Sequence, residues 1–177
     1  IYGLTKSKGE EFIEKILFKN KQAIILRTSW LMGPTGNNFA MKMLNLHETK
    51  KEIKVIADQI GCPTSTTTLA DVCWQFIALE EQVLFPKDDL VPIFHWCDNG
   101  SASWYDVAVE IGKISFKLGL IKTPAKVIPI GTKSYKSLTK RPKYSLLDCS
   151  STKQLLKIKG KNWKEVLEKD FKSFFKK

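Results

Sequence analysis

The chain has 177 residues, 43% of them hydrophobic, and carries 29 lysines and arginines against 18 acids, for a net charge of +11. That size and apolar share allow one good core, in a single domain or one with a small appendage, and no apolar run approaches the roughly 18 residues of a membrane span. No signal peptide is expected, and the cations fall in separate groups at 15–21, 50–54, 133–143 and 153–177, several beside acids, which describes solvated faces better than a nucleic-acid-binding stripe.

The spacing predicts a first helix over residues 1–19 that buries Phe12, Ile13, Ile16 and Leu17. Within it Tyr2 and Lys6 stand four residues apart, on one face and one turn from each other. A free phenol ionises near pH ~10, and a cation within about 4 to 6 Å lowers that value. Such a phenol can give its proton to a carbonyl oxygen near neutral pH. On these residues alone, a chance pair on a surface helix competes with that reading.

Residues 23–26 read as a buried strand whose carboxyl end delivers Arg27, Thr28, Ser29 and Trp30, and in open α/β sheets ligands bind at such strand ends. Thr28 and Ser29 suit hydrogen bonds to cofactor or substrate, or local turn capping. Trp30 suits a pocket wall or a packed core position. An amphipathic helix is expected over 38–49, with Asn38 either capping it or helping to receive a diphosphate at its N-terminus. A short strand over 53–57, a helix over 69–81 and a strand over 91–96 follow.

Asn99-Gly100 marks a turn, and Ser103 with Asp106 resembles a capping box opening a helix over 104–118. A strand over 126–130 and an amphipathic helix over 162–175 close the pattern. The alternation of helix and strand specifies a mostly parallel α/β layer. His47 and His95 lack partners at metal-ligand spacing and read as structural, with no metal expected. Cys62, Cys73, Cys97 and Cys149 form no CxxC pair, so reduced thiols and a cytoplasmic setting are expected.

The segments Tyr2-Gly3-Leu4-Thr5-Lys6, Gly9-Glu10, Leu26-Arg27-Thr28-Ser29-Trp30 and Asn38-Phe39 resemble, in that order, the extended short-chain dehydrogenase/reductases. The resemblance is closest to the dTDP-4-dehydrorhamnose reductase family. It extends through Ala57-Asp58-Gln59-Ile60-Gly61-Cys62-Pro63-Thr64, Leu69-Ala70, Ser103-Trp104-Tyr105, Arg141-Pro142-Lys143-Tyr144-Ser145 and Leu147-Asp148. Met32 departs from it, since the family has an aromatic residue near that place.

The resemblance implies the C-terminal part of such an enzyme, with residues 1–57 ending a Rossmann-like core and 58–177 mainly binding substrate. It implies Tyr2 and Lys6 as catalytic and cofactor-binding, Thr28 and Ser29 as cofactor-binding, and Trp30, Asn38 and Arg141 as substrate-binding. It implies NADPH as reductant, with NADH open, a dTDP-sugar as substrate, and leaves a homodimer open. The guanidinium fork of Arg141 is suited to clamping a diphosphate, and the positive surplus attracts nucleotide-sugar and dinucleotide phosphates.

The family's glycine-rich phosphate turn has no counterpart here, because Gly33-Pro34-Thr35-Gly36 is short and proline-broken. The isolated chain is therefore expected to be nearly inactive. A noncatalytic nucleotide-binding regulator of the same fold is the alternative, and a basic nucleic-acid-binding domain a more distant one.

Overall fold

The computed structural model of the chain describes residues 1–17, 21–85, 92–135, 139 and 141–175. Its elements, in chain order, are α1 (Tyr2–Leu17), β1 (Ile25–Thr28), β2 (Leu31–Met32), α2 (Phe39–Thr49), β3 (Glu52–Ile56), β4 (Ile60–Gly61) and β5 (Thr64–Ser65). There follow α3 (Thr66–Ile77), α4 (Glu81–Leu84), β6 (Ile93–Trp96), β7 (Ala102–Ser103) and α5 (Trp104–Lys117). Strand β8 (Lys126–Ile130), a 3-10 turn (Thr132–Ser134), α6 (Ser150–Leu155) and α7 (Trp163–Phe175) complete the order. The expected end of the first helix at Lys19 and the expected strand start at Val91 lie outside the described residues.

The strands pair two by two. β1 runs parallel to β6, β2 to β5 and β3 to β8, whereas β4 and β7 are antiparallel. The mixed α/β, mainly parallel character agrees with the sequence pattern. A continuous layer does not form among the described strands: they make four separate two-stranded pairs, two of which are only two residues long. The two-residue strands carry too few positions to show a period, so they left no signal in the sequence.

The main core lies between α2, α5, α7 and the β3–β8 pair. Helix α5 buries Val107, Ala108, Ile111, Gly112, Ile114 and Ser115 along one stripe, the spacing of a helix facing a core. Its start is fixed by the expected capping box: Asp106 N donates to Ser103 Oγ at 3.1 Å, and Ser103 N donates to Asp106 Oδ2 at 2.8 Å. His47 of α2 is buried, as expected of a structural histidine, with its Nε2 2.8 Å from the Ala108 carbonyl. Gly112, one turn beyond Ala108, leaves room for that ring: a Cβ there would lie 2.7 Å from His47 Cε1.

A second cluster, Val72, Phe76 and Trp96, packs α3 against the β1–β6 pair. Helix α3 begins three residues before the sequence pattern placed it, because Ser65 caps it by accepting from Thr67 N at 3.0 Å. Two buried carboxylates reinforce that start. Asp98 Oδ2 accepts from Ser65 N at 2.9 Å, and Asp170 of α7 accepts from Ser65 Oγ at 2.5 Å and Thr67 Oγ1 at 2.7 Å. Burial pushes the Asp98 carboxyl above its ordinary range. Cys62, Cys97 and Cys149 are buried thiols and Cys73 an exposed one, all four free.

The expectation that α1 buries Phe12, Ile13, Ile16 and Leu17 is corrected. No residue of α1 is buried, and Phe12 is 61% and Ile16 67% exposed. A hydrophobic stripe predicts that a helix face seeks cover, and among the described residues no layer lies over this one.

Replacing Gly112 with Ala tests the α2–α5 packing. The substitution raises helix propensity by about 1 kcal/mol, yet its methyl group must displace a hydrogen-bonded ring held in the core. A net loss of about 1–3 kcal/mol is expected, read as a lower urea midpoint at unchanged m-value. A midpoint at or above that of the unsubstituted chain would show that the His47 ring yields freely.

Candidate active site

The site forms where the carboxyl end of β1 meets the first residue of α1. Tyr2 starts that helix and is 76% exposed. Thr28 ends β1, and Ser29 and Trp30 follow it into a loop bonded to residues 62–64. Thr64 Oγ1 donates to the Ser29 carbonyl at 2.6 Å, Thr64 N donates to the Trp30 carbonyl at 3.1 Å, and Ser29 Oγ donates to the Cys62 carbonyl at 3.1 Å. These bonds hold Trp30 at φ +46°, a backbone region that an aromatic L-residue adopts only when its surroundings enforce it.

The Trp30 indole touches both Gly61 and Trp104. It stacks on Trp104 with centroids 3.7 Å apart and planes at 12°, and Trp104 tilts against Phe39 at 4.6 Å. A Cβ at Gly61 would come within 2.5 Å of Trp30 Cε2, so only glycine fits against the ring. Trp104 reaches this position because it opens α5, and a side chain there leans back toward the helix N-terminus.

Tyr2, Thr28, Ser29, Trp30 and Arg141 line one cavity of about 240 Å³, joined by Gln59, Trp104, Pro142 and Ser145. Next to it lies a larger one of about 810 Å³, whose wall includes Asn38, Phe39, Lys42, Lys54 and Tyr135. Gln59, Trp104 and Arg141 border both. The Arg141 segment is held beside β4 by Ile60 N donating to the Lys143 carbonyl at 2.7 Å and Ser145 N donating to the Ile60 carbonyl at 2.8 Å.

Gln59 is 3% exposed and its Nε2 donates to Thr132 Oγ1 at 3.0 Å. Thr132 is in turn fixed by Asp58, whose Oδ1 accepts from Thr132 Oγ1 at 2.6 Å and Thr132 N at 2.8 Å. The hydroxyl of Thr132 holds the Asp58 carboxyl below its usual range, with its backbone N–H and the charge of Lys143 adding to the effect. The chain Asp58–Thr132–Gln59 thus immobilises an amide on the boundary between the two cavities.

The structure brings five of the seven residues singled out in the sequence to the smaller cavity. Asn38 borders only the larger one. It caps α2, with Oδ1 accepting from Ala40 N at 3.0 Å and Met41 N at 3.2 Å, while Nδ2 donates to the carbonyls of Gly33 at 2.9 Å and Thr35 at 2.8 Å. Those four bonds occupy its amide, so what it offers a ligand is the oriented start of α2. Lys6 lies one turn along α1 from Tyr2, is exposed, and borders neither cavity.

Gln59 and Trp104 escaped assignment as site residues. Both lie in segments that the sequence already marked, but a buried Gln between two short strands and a Trp after a cap carry no periodic signal. Among the described residues no group of three or more His, Cys, Asp or Glu could hold a metal ion, and no helix is long and apolar enough to cross a membrane.

Residues 1–175 match the family model described as RmlD substrate binding domain. A dTDP-4-dehydrorhamnose reductase of Aggregatibacter actinomycetemcomitans is 33% identical over 168 residues, which is 95% of this chain and 55% of the relative. The spore coat polysaccharide biosynthesis protein SpsK of Bacillus subtilis is 35% identical over 94% of this chain and 52% of its own length. The crystal structure of the dTDP-4-dehydrorhamnose reductase of Bacillus anthracis in complex with NADP superposes with a TM-score of 0.77 at 32% identity, covering 98% of this chain and 55% of that one. The chain spans about half the length of the curated relatives it matches.

The Gly61–Trp30–Trp104 arrangement generates its own test. Gly61→Ala should break the stack and cost about 1–3 kcal/mol of stability, with a weaker near-ultraviolet tryptophan dichroism and an unchanged far-ultraviolet spectrum. An unaltered near-ultraviolet signal would remove Gly61 from contact with the indole.

Proposed function

The chain belongs to the RmlD substrate binding domain family, and from that premise we propose that the whole protein is a dTDP-4-dehydrorhamnose reductase. In this reading it reduces the C4 ketone of a dTDP-4-keto-6-deoxy sugar with NADPH, giving dTDP-L-rhamnose. The observation that carries the proposal is the single cavity lined by Tyr2, Thr28, Ser29, Trp30 and Arg141. A proton donor, two hydroxyls, an aromatic wall and a guanidinium converge there on a space of about 240 Å³.

The residues fit the nicotinamide end of NADPH. An exposed phenol shares a cavity with the hydroxyl-bearing end of a parallel strand, the edge at which such folds bind nucleotides, and an exposed ammonium follows one turn on along α1. When bound, NADPH supplies the hydride that reduces the carbonyl carbon. Tyr2 Oη hydrogen-bonds the ketone oxygen and gives it a proton as negative charge develops there. Lys6 holds the ribose and stabilises the phenolate left on Tyr2. Thr28 and Ser29 orient the cofactor, and Trp30, backed by Trp104, forms the wall against the sugar.

Arg141 stands at the mouth shared by the two cavities, so a sugar in the smaller one and a nucleotide in the larger one would set the diphosphate beside its guanidinium. A bidentate contact there suits the ligand. The N-terminus of α2, oriented by Asn38, adds partial positive charge on the same side. Keto-sugar reduction of this kind belongs to cell-surface polysaccharide synthesis, and the free thiols support a cytoplasmic location.

Residues 1–57 are proposed to complete a Rossmann-like core and 58–177 to form mainly the substrate side. Two observations favour a core that continues beyond the described strands, with β6 joining it from the second segment. Among the described strands β1 pairs along one edge only, with β6, and the apolar residues of α1 face outward, as expected where a parallel sheet and its covering helix continue into further structure.

Mixing the full-length protein with dTDP-4-dehydrorhamnose and NADPH should consume the absorbance of the reduced nicotinamide. Silence would favour a noncatalytic nucleotide-binding relative. In the full-length protein Tyr2→Phe should lower kcat by about 10²–10⁴-fold while NADPH affinity stays nearly intact, and equal turnover would remove Tyr2 from proton transfer. Arg141→Ala should raise KM for the nucleotide-sugar by about tenfold, and an unchanged KM would place the diphosphate elsewhere.

A further inference from the structure

Helix α1 carries Tyr2, Lys6 and Glu10 at successive intervals of four, so the three side chains share one face. The carboxylate of Glu10 is engaged from the neighbouring strand. Arg27 of β1 donates from Nε to Glu10 Oε1 at 2.8 Å and from Nη2 to Oε2 at 2.5 Å. Both oxygens are occupied by the fork of one guanidinium, the strongest geometry available to such a pair. Among the described residues Lys6, by contrast, makes no ion pair within 4 Å, although its charge is felt at Glu10.

We propose that Arg27 is a positioning residue for the reaction: by holding Glu10 it prevents that carboxylate from closing an i, i+4 ion pair with Lys6, and so leaves the ammonium available to Tyr2 and the cofactor. The inference rests on the reductase reading for its functional meaning but on geometry alone for the charge arrangement. The groups that act on Glu10 are Arg27 from β1, His95 from β6 and Lys6 from its own helix. The Arg27 hydrogen bond is foremost in keeping the carboxyl below its usual range, with the charges of Arg27, His95 and Lys6 following. Across the smaller cavity from Tyr2 the facing cation is Arg141.

When the guanidinium is removed, Lys6 is the nearest cation on the same helix face, one turn away. A Lys placed N-terminal to Glu at this spacing forms a weaker pair than the reverse order, which explains why the bidentate Arg27 prevails while it is present. A purely structural role, tying α1 to β1, makes a different forecast. In that case Glu10→Gln and Arg27→Gln break the same tie and have the same effect, and the double variant repairs nothing.

The test reads the acylation rate of the Lys6 amine in the full-length protein without cofactor by peptide mass spectrometry, normalised to Lys42. Arg27→Gln should slow it by up to about twofold, the factor expected of an exposed i, i+4 pair. Glu10→Gln should leave it unchanged, and Glu10→Gln with Arg27→Gln should restore the original rate. Equal effects of the two single substitutions, or no recovery in the double variant, would overturn the inference. In the full-length protein the same order is expected for the NADPH dissociation constant: weaker in Arg27→Gln and recovered in the double variant. An acylation pattern as expected with NADPH binding absent from every form would retain the charge arrangement and defeat the reductase reading instead.

Discussion

The left-handed turn at Trp30 is the constraint on which the candidate site depends. An aromatic residue at φ +46° is strained by about 1–3 kcal/mol unless its surroundings hold it. Here Thr64 bonds the carbonyls of both Ser29 and Trp30, and the indole touches both Gly61 and Trp104. Reversing this one backbone twist would swing the indole off Trp104 and open the wall between the two cavities. The strand end, the β4 segment and the start of α5 are thereby made to agree on a single pocket.

The same agreement is enforced from below by polar groups. Asp98, in the loop after β6, and Asp170 of α7 approach the start of α3 and take up Ser65 N, Ser65 Oγ and Thr67 Oγ1. Thr68 Oγ1 adds a bond to Asp98 at 2.7 Å. A buried carboxylate without such donors would be costly, so these residues have one workable arrangement, and it fixes the loop of 59–65 that carries Gln59 and Gly61. Packing and polar satisfaction thus select the same loop conformation by independent means.

Much of this was legible in the residues. The capping box at Ser103, the N-cap at Asn38 and the strand at 126–130 are local signals, and each element appears where its own chemistry puts it. Tyr2, Thr28, Ser29, Trp30 and Arg141 were marked by resemblance and do share a cavity, although their functional roles are a separate matter. What was not legible is non-local. Trp104 meets Trp30 from 74 positions along the chain, Gln59 is immobilised through Thr132, and the Arg27–Glu10 fork joins two elements whose contact no spacing announces. The burial predicted for Phe12 and Ile16 failed for the same reason, since a stripe of apolar residues states a need for cover without naming the surface that meets it.

Helix α1 ties the candidate site to the rest of the fold. It bears the proposed proton donor, buries none of its residues, and has no acidic side chain in its first turn to favour its N-terminus. A helix of 16 residues with those properties is marginal by itself. Its bidentate tie to the chain runs through Glu10 to Arg27, directly before the Thr28–Trp30 segment that lines the pocket. Any surface that covers the outward apolar side of α1 would therefore order Tyr2 and Lys6 at the same moment, coupling completion of the fold to assembly of the site. The Arg27–Glu10 ion pair sets the registration of that helix against β1.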